Sequence, residues 1–544
     1  MVTYFKPVNS VIALINCFCL RSKLKENPKN QFYTLLSILI IAIYIFDYTS
    51  AQFYTECIKI HSEEPGMNNT TKENTRLEYD SIGGKHIPSD AYYGVQSLRA
   101  MENFSITGRR LHTDMIRSLA FLKKACAMAN AAAGVMDTRI AVAIEQACDR
   151  ILDGKFHDQF IVDPIQGGAG TSINMNANEV IANIAIELLG GEKGDYSLVH
   201  PNDHVNYGQS TNDVIPTAGK MTALVLLHRL EESLELLENA LQQKAKDFDS
   251  ILKMGRTQMQ DAVPIRLGQE FGAYASAVER GLQRIRLTKG ELYSINMGGT
   301  AIGTGLNADT SYFRNIAATL SALTGIAFTQ APDLIDSTQN IDSFAAVSSA
   351  LKNCAISISK IANDLRLMSS GPRTGFGEIN LPARQNGSSI MPGKVNPVIP
   401  EVVSQVAFKI VGNDMTIAMA VEAGQMELNA FEPVVFESLF QSITILDNAI
   451  QTFVYNCING ITANEERCRE LLDSSVGIIT ALCPHIGYAK AASLAKEALA
   501  KQVSVRSLVL EQKVMSEKEL DTILNAYGMT QPGISGKELL RGEN

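Results

Sequence analysis

The sequence predicts a mainly α-helical protein organised around a central bundle of long helices. Apolar residues recur at alternating steps of three and four from Phe344 to Met368, and leucines do the same from Leu227 to Leu241. Such stripes indicate helices that pack against one another at small crossing angles. No segment of the sequence shows the strong alternation of apolar and polar residues that is typical of a half-buried strand.

The composition narrows the class of protein. A chain of 544 residues, 46% of them hydrophobic, is long enough for a large core and two or three domains. The net charge of −9 argues against a nucleic-acid partner. The nine cysteines form no CxxC pair and histidines are few, so we expect no zinc site and reduced thiols in a cytoplasmic protein.

The first 66 residues differ from the rest. Residues 32–46 form an apolar run without a charge, and basic residues precede it, as in a signal anchor. The run is shorter than the roughly 20 residues that a spanning helix needs. Three interpretations stay open: a membrane tether through residues 32–54, a cleaved targeting segment, or a translated leader absent from the working protein. Met67 opens a polar stretch that looks like the start of a soluble enzyme, which favours the last.

Three domains are expected after this leader. Residues 67–210 begin with a turn-rich segment and become helical after Asp114. Residues 211–465 should form the bundle, with helices over 213–248, 264–296, 343–369 and 400–422, separated by glycine-rich breaks such as 298–305. The first of these helices would span on the order of 50 Å. Residues 466–544 carry shorter helical patterns, at 489–499 and 516–524, and read as a small C-terminal domain.

The polar run at residues 387–397, named the signature loop here, is the strongest functional motif. It places Ser388, Ser389, Lys394 and Asn396 between glycines and prolines that keep it out of helix and sheet. Hydroxyls, an amide and an ammonium in one loop can close over a small anion.

Four further segments concentrate hydroxyls, amides and glycines. They are residues 166–176, 201–213, 255–261 and 424–429. Three of them also have a structural interpretation: a glycine turn before a helix at residues 166–176, a helix cap at residues 210–213, and a helix break with a packing role at residues 424–429. A helix start with free N–H groups is an anion site as well, so both interpretations hold together at residues 210–213.

The chain resembles the aspartase/fumarase superfamily of lyases over residues 76–524. The resemblance rests on the signature loop and these four segments, which follow one another along the chain in the order expected for that superfamily. Within it, strings such as GGAGTSINMNANEV and QSTND resemble the aspartate ammonia-lyases. Fumarases usually carry Ser-Ser-Asn-Asp at residues 210–213 and a histidine at Gln258. Some aspartases carry that histidine too, so Gln258 counts only against fumarase.

The resemblance implies reversible elimination of ammonia from L-aspartate to give fumarate, without a metal or organic cofactor. It also implies a homotetramer in which each site combines residues of three chains. Carried over by motif, Ser388 is the base. The implied substrate-binding residues are Thr171, Ser210, Thr211 and Ser389 at the carboxylate next to the acidic carbon, Thr257, Lys394 and Asn396 at the other carboxylate, Asn212 and Gln258 at the amine, and Met391 in the signature loop.

Several alternatives accompany these assignments. Ser388 is a poor base unless donors stabilise its alkoxide, and it could be only a turn residue. His204 is a rival base, although we interpret it as structural because it precedes the hydroxyl-rich cluster. Class II fumarase is the second function, and a catalytically silent structural relative is the third. Membrane attachment stays an alternative to a cytoplasmic location.

Overall fold

Helices dominate residues 74–542, which are the part of the chain that the computed structural model describes. In chain order they are α1 (Val95–Asn103), α2 (Thr113–Ala132), α3 (Thr138–Leu152), α4 (Thr171–Leu188), α5 (Thr211–Asp247), α6 (Leu267–Lys289), α7 (Thr310–Thr324), α8 (Leu334–Gln339), α9 (Asp342–Met368), α10 (Val398–Glu422), α11 (Glu432–Asn456), α12 (Glu465–Ser474), α13 (Ile479–Ile486), α14 (Tyr488–Lys501), α15 (Val505–Glu511), α16 (Glu517–Ile523) and α17 (Ala526–Met529). The mainly helical prediction is confirmed. The predicted leader and its apolar run lie outside the described residues.

The bundle consists of α5, α6, α9, α10 and α11. Helix α5 packs against α6 and α11, while α9 packs against α6 and α10, and α10 against α11. Leu227, Leu234 and Leu241 of α5 are fully buried, as are Phe344 and Leu351 of α9. Both predicted apolar stripes are therefore core, and burial of each leucine contributes about 1.5–3 kcal/mol to folding.

Within residues 74–542, four two-stranded sheets accompany the helices, and no sequence pattern predicted them. The strands are β1 (Thr75–Asp80), β2 (Gly83–Pro88), β3 (Leu252–Thr257), β4 (Gln260–Arg266), β5 (Ser294–Ile295), β6 (Thr329–Gln330), β7 (Ile379–Asn380) and β8 (Thr462–Ala463). They pair as β1–β2, β3–β4, β5–β6 and β7–β8.

The predicted helix over residues 264–296 was wrong at both ends. Pro264 lies in β4 opposite Met254, so the chain forms an antiparallel hairpin before α6 begins at Leu267. At the other end α6 stops at Lys289, and Ser294–Ile295 pairs as β5. Strand pairing accompanies both boundaries, of β4 with the adjacent β3 and of β5 with β6 further along the chain. A helical repeat cannot reveal such pairing. The other three predicted bundle helices, α5, α9 and α10, begin and end within two residues of the prediction, whereas α11 was not predicted.

A second hydrophobic cluster lies in the C-terminal part of the chain. It includes Leu482, Leu508, Leu520 and Ile523, together with Met254 of β3. From Arg76 onward the chain nevertheless forms one compact unit. The division into domains at residues 67–210, 211–465 and 466–544 stays a prediction.

Candidate active site

Three groups of residues predicted for the site occupy three loops or helix starts. The first group begins at α4. Three successive residues before this helix, Gly168, Ala169 and Gly170, have positive φ angles of 87°, 54° and 83°. A Cβ on Gly170 would come within 3.0 Å of the Ile215 side chain. This left-handed turn presents Thr171 at the exposed start of α4, where its Oγ1 donates to the Gly168 carbonyl at 2.7 Å.

The start of α5 completes the first group. Ser210 Oγ accepts from the Asn212 N–H at 3.2 Å, and Asp213 accepts from the Ser210 N–H at 2.9 Å, so a capping box opens the helix. The side chain of Asn212 donates to the Ala301 carbonyl at 2.7 Å. The two helix starts are joined, because Asn174 Nδ2 donates to Thr211 Oγ1 at 3.4 Å. Thr171, Ser210, Thr211 and Asn212 thus belong to one region.

Asp213 is a buried carboxylate that the sequence argument treated only as a cap. Its second oxygen accepts from the N–H groups of Gly298 and Thr300, at 3.2 and 3.0 Å. Burial raises the pKa of Asp213 to about 7, against the opposing effect of the backbone donors. Asp213 therefore fastens the glycine-rich segment 298–305 to the start of α5. The Ser-x-x-Asp spacing predicts the capping role of Asp213. No pattern in the sequence predicts its contact with the segment 298–305.

The second group lies at the tip of the β3–β4 hairpin. Gln258 and Met259 form its two-residue turn with φ angles of 52° and 62°, and Thr257 pairs with Gln260. Thr257 and Gln258 are exposed. The base of the hairpin is held by Glu378, which is fully buried and accepts from Arg256 at 2.7 Å. Lys253 Nζ lies 3.2 Å from the same carboxylate.

The third group is the signature loop. Its ends are closed by the Gly387 N–H, which donates to the Lys394 carbonyl at 2.8 Å, and by Asn396 Nδ2, which donates to the Gly387 carbonyl at 2.8 Å. Ser388 Oγ accepts from the N–H groups of Ile390 and Met391, at 3.2 and 3.0 Å. This pattern is that of a turn residue. It also supplies the backbone donors that an alkoxide needs.

The remaining side chains of the loop face outward. Ser389, Met391 and Lys394 are exposed. Lys394 and Asn396 line a cavity of about 850 Å³ together with Arg366, Ser370 and Glu401. Thr171 lines a different cavity, of about 570 Å³, so the described chain does not place the predicted residues around one cavity.

Chain geometry keeps the hairpin far from the first group. From Thr211 to Asp247, α5 extends over about 54 Å, and the ten residues from Asp247 to Thr257 span at most about 36 Å. Thr211 and Thr257 of one chain are therefore on the order of 15 Å or more apart.

The signature loop is similarly distant from the start of α5. Helix α11 runs alongside α5 in the same direction, since a Cβ on Gly219 would meet Phe436 and Gln451 donates to Ser233 at 3.2 Å. Arg384 donates to the Asn456 carbonyl at the far end of α11. Ser388 follows Arg384 by only four residues, so it too lies on the order of 15 Å or more from Thr211. A four-carbon dicarboxylate cannot bridge such a gap.

His204 lies in the segment Pro201–Val205, apart from the signature loop in sequence. Its Nδ1 accepts from the His200 N–H at 2.8 Å, and partial burial lowers the pKa of its imidazole. The ring thus holds a local turn, which agrees with the structural interpretation.

The predicted break at residues 424–429 separates α10 from α11, and buried Asn429 donates to the Ala420 carbonyl at 2.9 Å. Across residues 74–542, no cluster of His, Cys, Asp and Glu is arranged to hold a metal ion.

Comparison with known proteins identifies the class. A family model described as lyase matches residues 83–412, and one described as fumarase C C-terminus matches residues 478–531. The fold is similar to a crystal structure described as fumarate lyase:delta crystallin from Brucella melitensis bound to cobalt, with a TM-score of 0.82, 46% identity, and coverage of 84% of this chain and 100% of that one. A class II fumarase from Schistosoma mansoni has a TM-score of 0.81 at 33% identity, covering 84% and 99%. The chain is a member of the fumarase/aspartase superfamily of lyases.

Sequence relatives narrow the family. The aspartate ammonia-lyase of Bacillus subtilis is 55% identical over 474 residues, which cover 87% of this chain and all of that protein. The aspartate ammonia-lyase of Helicobacter pylori strain J99 is 51% identical over 84% of this chain and 98% of its own length. The chain belongs to the aspartate ammonia-lyase family. The resemblance inferred from residues 166–176, 201–213 and the signature loop is thereby confirmed.

Proposed function

We propose that this chain is a carbon–nitrogen lyase that eliminates ammonia reversibly from L-aspartate to give fumarate. The observation that carries the proposal is the identity of 48–56% to aspartate ammonia-lyases over most of the chain. The site residues that follow rest on the motifs and on the geometry of the three groups.

The reaction requires a base and a set of prepositioned donors. The proton to be removed lies on the carbon next to the side-chain carboxylate, and its loss creates a dianionic aci-carboxylate. Thr171, Ser210, Thr211 and Ser389 supply hydroxyl donors for this charge. Donors that are already in place when the charge develops are the largest source of catalysis in such reactions.

Ser388 is the proposed base. The two backbone N–H groups that point at its Oγ favour the charged form of the hydroxyl, because donors to an anion lower the free energy of ionisation. Once ionised, Ser388 accepts the proton from the substrate carbon. Thr257, Lys394 and Asn396 hold the second carboxylate, with Lys394 as its ion partner, and Met391 contacts the substrate from the signature loop.

Asn212 and Gln258 hold the amine. An amide side chain accepts hydrogen bonds from an ammonium group but does not titrate. The leaving amine therefore departs already protonated, or receives its proton from a group other than residue 258.

Assembly of several chains brings the three groups together. In one chain they lie too far apart, so we propose a homotetramer whose sites combine residues of three chains. Helix α10 supports assembly, because Phe408, Met415 and Met419 lie on it with 67%, 64% and 66% of their surface exposed. Apolar surface of this kind marks a protein interface.

We place the enzyme in the cytoplasm. All six cysteines within residues 74–542 are free thiols, and five of them are buried. Such thiols suit a reducing compartment. No helix within the described residues is long and apolar enough to cross a bilayer. The apolar run at residues 32–46, which is the basis of the tether alternative, is outside them.

Product analysis of the purified full-length enzyme tests the function. With L-aspartate we expect fumarate and ammonia in equal amounts, and with L-malate no fumarate. Class II fumarase is the second candidate, supported by the Schistosoma mansoni structure at 33% identity. Fumarate formation from L-malate without turnover of L-aspartate would establish that alternative. An assembled protein that turns over neither substrate would indicate a silent relative.

A further inference from the structure

Lys123 is a buried lysine that the mechanism above does not use. It lies on α2 and is completely shielded from solvent. Its ammonium donates to Asn206 Oδ1 and Gln209 Oε1, both at 2.9 Å, and forms no ion pair with a carboxylate within residues 74–542. Burying an ammonium is costly unless its donors are satisfied. Within residues 74–542, two amide oxygens and no acidic side chain accept from this ammonium.

The position of this lysine sets the direction of a chain of hydrogen bonds. An ammonium only donates, so Asn206 and Gln209 must turn their oxygens toward it. Asn206 Oδ1 also accepts from Asn174 Nδ2 at 3.1 Å and from Asn178 Nδ2 at 3.3 Å. The amide nitrogen of Asn174 is thereby fixed toward Asn206, and it has one further N–H to donate.

That second N–H reaches the substrate-binding group. Asn174 Nδ2 donates to Thr211 Oγ1 at 3.4 Å. Because the Thr211 oxygen already accepts a hydrogen bond, its own O–H is left to donate elsewhere. Thr211 is only partly buried and begins α5, beside Ser210 and Asn212. A hydroxyl that donates outward from a helix start is suited to a carboxylate.

We propose that Lys123 is a positioning residue that orients Thr211, through Asn206 and Asn174, to donate to the developing aci-carboxylate. This inference rests on the proposed function. The buried positive charge of Lys123 also favours the negative charge that develops on the aci-carboxylate beside Thr211, since charges interact strongly away from water. Burial lowers the pKa of the Lys123 ammonium to about 8, so the cationic form predominates at neutral pH. The acidic groups that oppose this lowering of the Lys123 pKa are the thiols of Cys126 and Cys148 and the carboxyl of Asp213. The Asp213 carboxyl accepts from backbone N–H groups and not from Lys123.

Two ligands separate orientation of the transition state from simple stability of the fold. Succinate resembles the substrate carboxylates, whereas the nitronate form of 3-nitropropionate resembles the dianionic aci-carboxylate. In the full-length Lys123→Met enzyme we expect the Kd of the nitronate to rise at least about tenfold more than the Kd of succinate. The kcat for L-aspartate should fall at least about tenfold with a smaller change in KM. Lys124→Met is the matched control, because Lys124 is the neighbouring lysine and pairs with Asp149 at 2.6 Å.

Equal weakening of both ligands in an assembled Lys123→Met enzyme would overturn the proposal, since that is the result of a merely structural role. If Lys123→Met does not assemble, Asn174→Leu decides, because it cuts the chain before Thr211 and keeps both bonds of Lys123. The same selective loss of nitronate binding is expected, and an unchanged ratio would overturn the inference. Failure of the parent enzyme to release ammonia from L-aspartate would refute the proposed function instead.

Discussion

At the scale of single residues, the signature loop contains one oxygen held by hydrogen bonds, Ser388 Oγ, and one exposed cation, Lys394. Ser388 Oγ is held by two backbone N–H groups, whereas Lys394 is exposed at the edge of a cavity that it lines with Asn396. The first arrangement favours an anion at the serine. The second leaves an ammonium available for a substrate carboxylate that arrives from outside.

Replacement of Lys394 by alanine should therefore weaken substrate binding. A charge-assisted contact that becomes desolvated when the site fills contributes roughly 1.5–3 kcal/mol, which corresponds to a loss of about tenfold to a hundredfold in kcat/KM. Most of the change should appear as a higher KM for L-aspartate. Steady-state kinetics measure it, with Lys490→Ala, an exposed lysine of α14, as the control. Unaltered kinetics in Lys394→Ala would place this lysine outside the site.

At the scale of elements, the carboxylate of Asp213 both caps α5 and holds a neighbouring loop. Asp213 completes the capping box with Ser210 and holds the segment 298–305 through Gly298 and Thr300. The same helix start carries Thr211 and Asn212. A stable cap therefore also fixes the geometry of the proposed carboxylate and amine contacts.

The raised pKa of Asp213 gives this element a pH dependence. Burial raises its pKa from 3.8 to about 7, so the folded protein holds the proton more tightly than the unfolded chain does. Unfolding then releases a proton between about pH 4 and 7, and the free energy of unfolding contributed by this group falls as pH rises through that window. Relative to Asp213→Asn, the parent should lose up to about 1.4 kcal/mol per pH unit. Urea unfolding of both proteins from pH 5 to 7 measures the difference. Parallel pH profiles would contradict the assignment.

Helices α5 and α9 were predictable because each carries its own apolar repeat. The stripe from Phe344 to Met368 defines α9 to within a residue, since burial on one face of a helix is written in local spacing. The hairpin of β3 and β4 was not predictable, because Pro264 and its neighbours follow no alternation and gain order only by pairing with Met254 and its neighbours. The site motifs were recognisable individually, at Thr171, Thr211 and Ser388. The distances between these motifs depend on the end of α5 that each of them adjoins. No local sequence pattern specifies that end.

At the scale of the whole molecule, the proposed function depends on the association of several chains. One chain holds Thr211 on the order of 15 Å or more from both Thr257 and Ser388, while α10 exposes a row of large apolar side chains. The proposed homotetramer accounts for both observations, because neighbouring chains would cover α10 and complete each other's sites.

A charge on α10 should thus abolish both assembly and activity. In Phe408→Asp, burial of an unpaired carboxylate at the interface would cost several kcal/mol, enough to favour dissociation. Sedimentation velocity and the rate of fumarate formation should fall together. Leu499→Asp on α14, where 63% of the leucine is exposed, is the matched control and should stay assembled and active. A fully active Phe408→Asp monomer would refute assembly as the basis of the site.

Mixing two inactive variants tests whether one site combines residues of different chains. Ser388→Ala should lose at least about a hundredfold in kcat, the low end for a positioned general base, and Thr211→Val should also be impaired. If Ser388 and Thr211 of one site come from different chains, randomly mixed tetramers contain intact sites, at up to about a quarter of the total. We expect ammonia release from L-aspartate to reappear when the two variants are unfolded and refolded together, at a rate well above that of either variant refolded alone. Tetramers that assemble from both chains and stay inactive would contradict it, because every site would then draw both residues from the same chain.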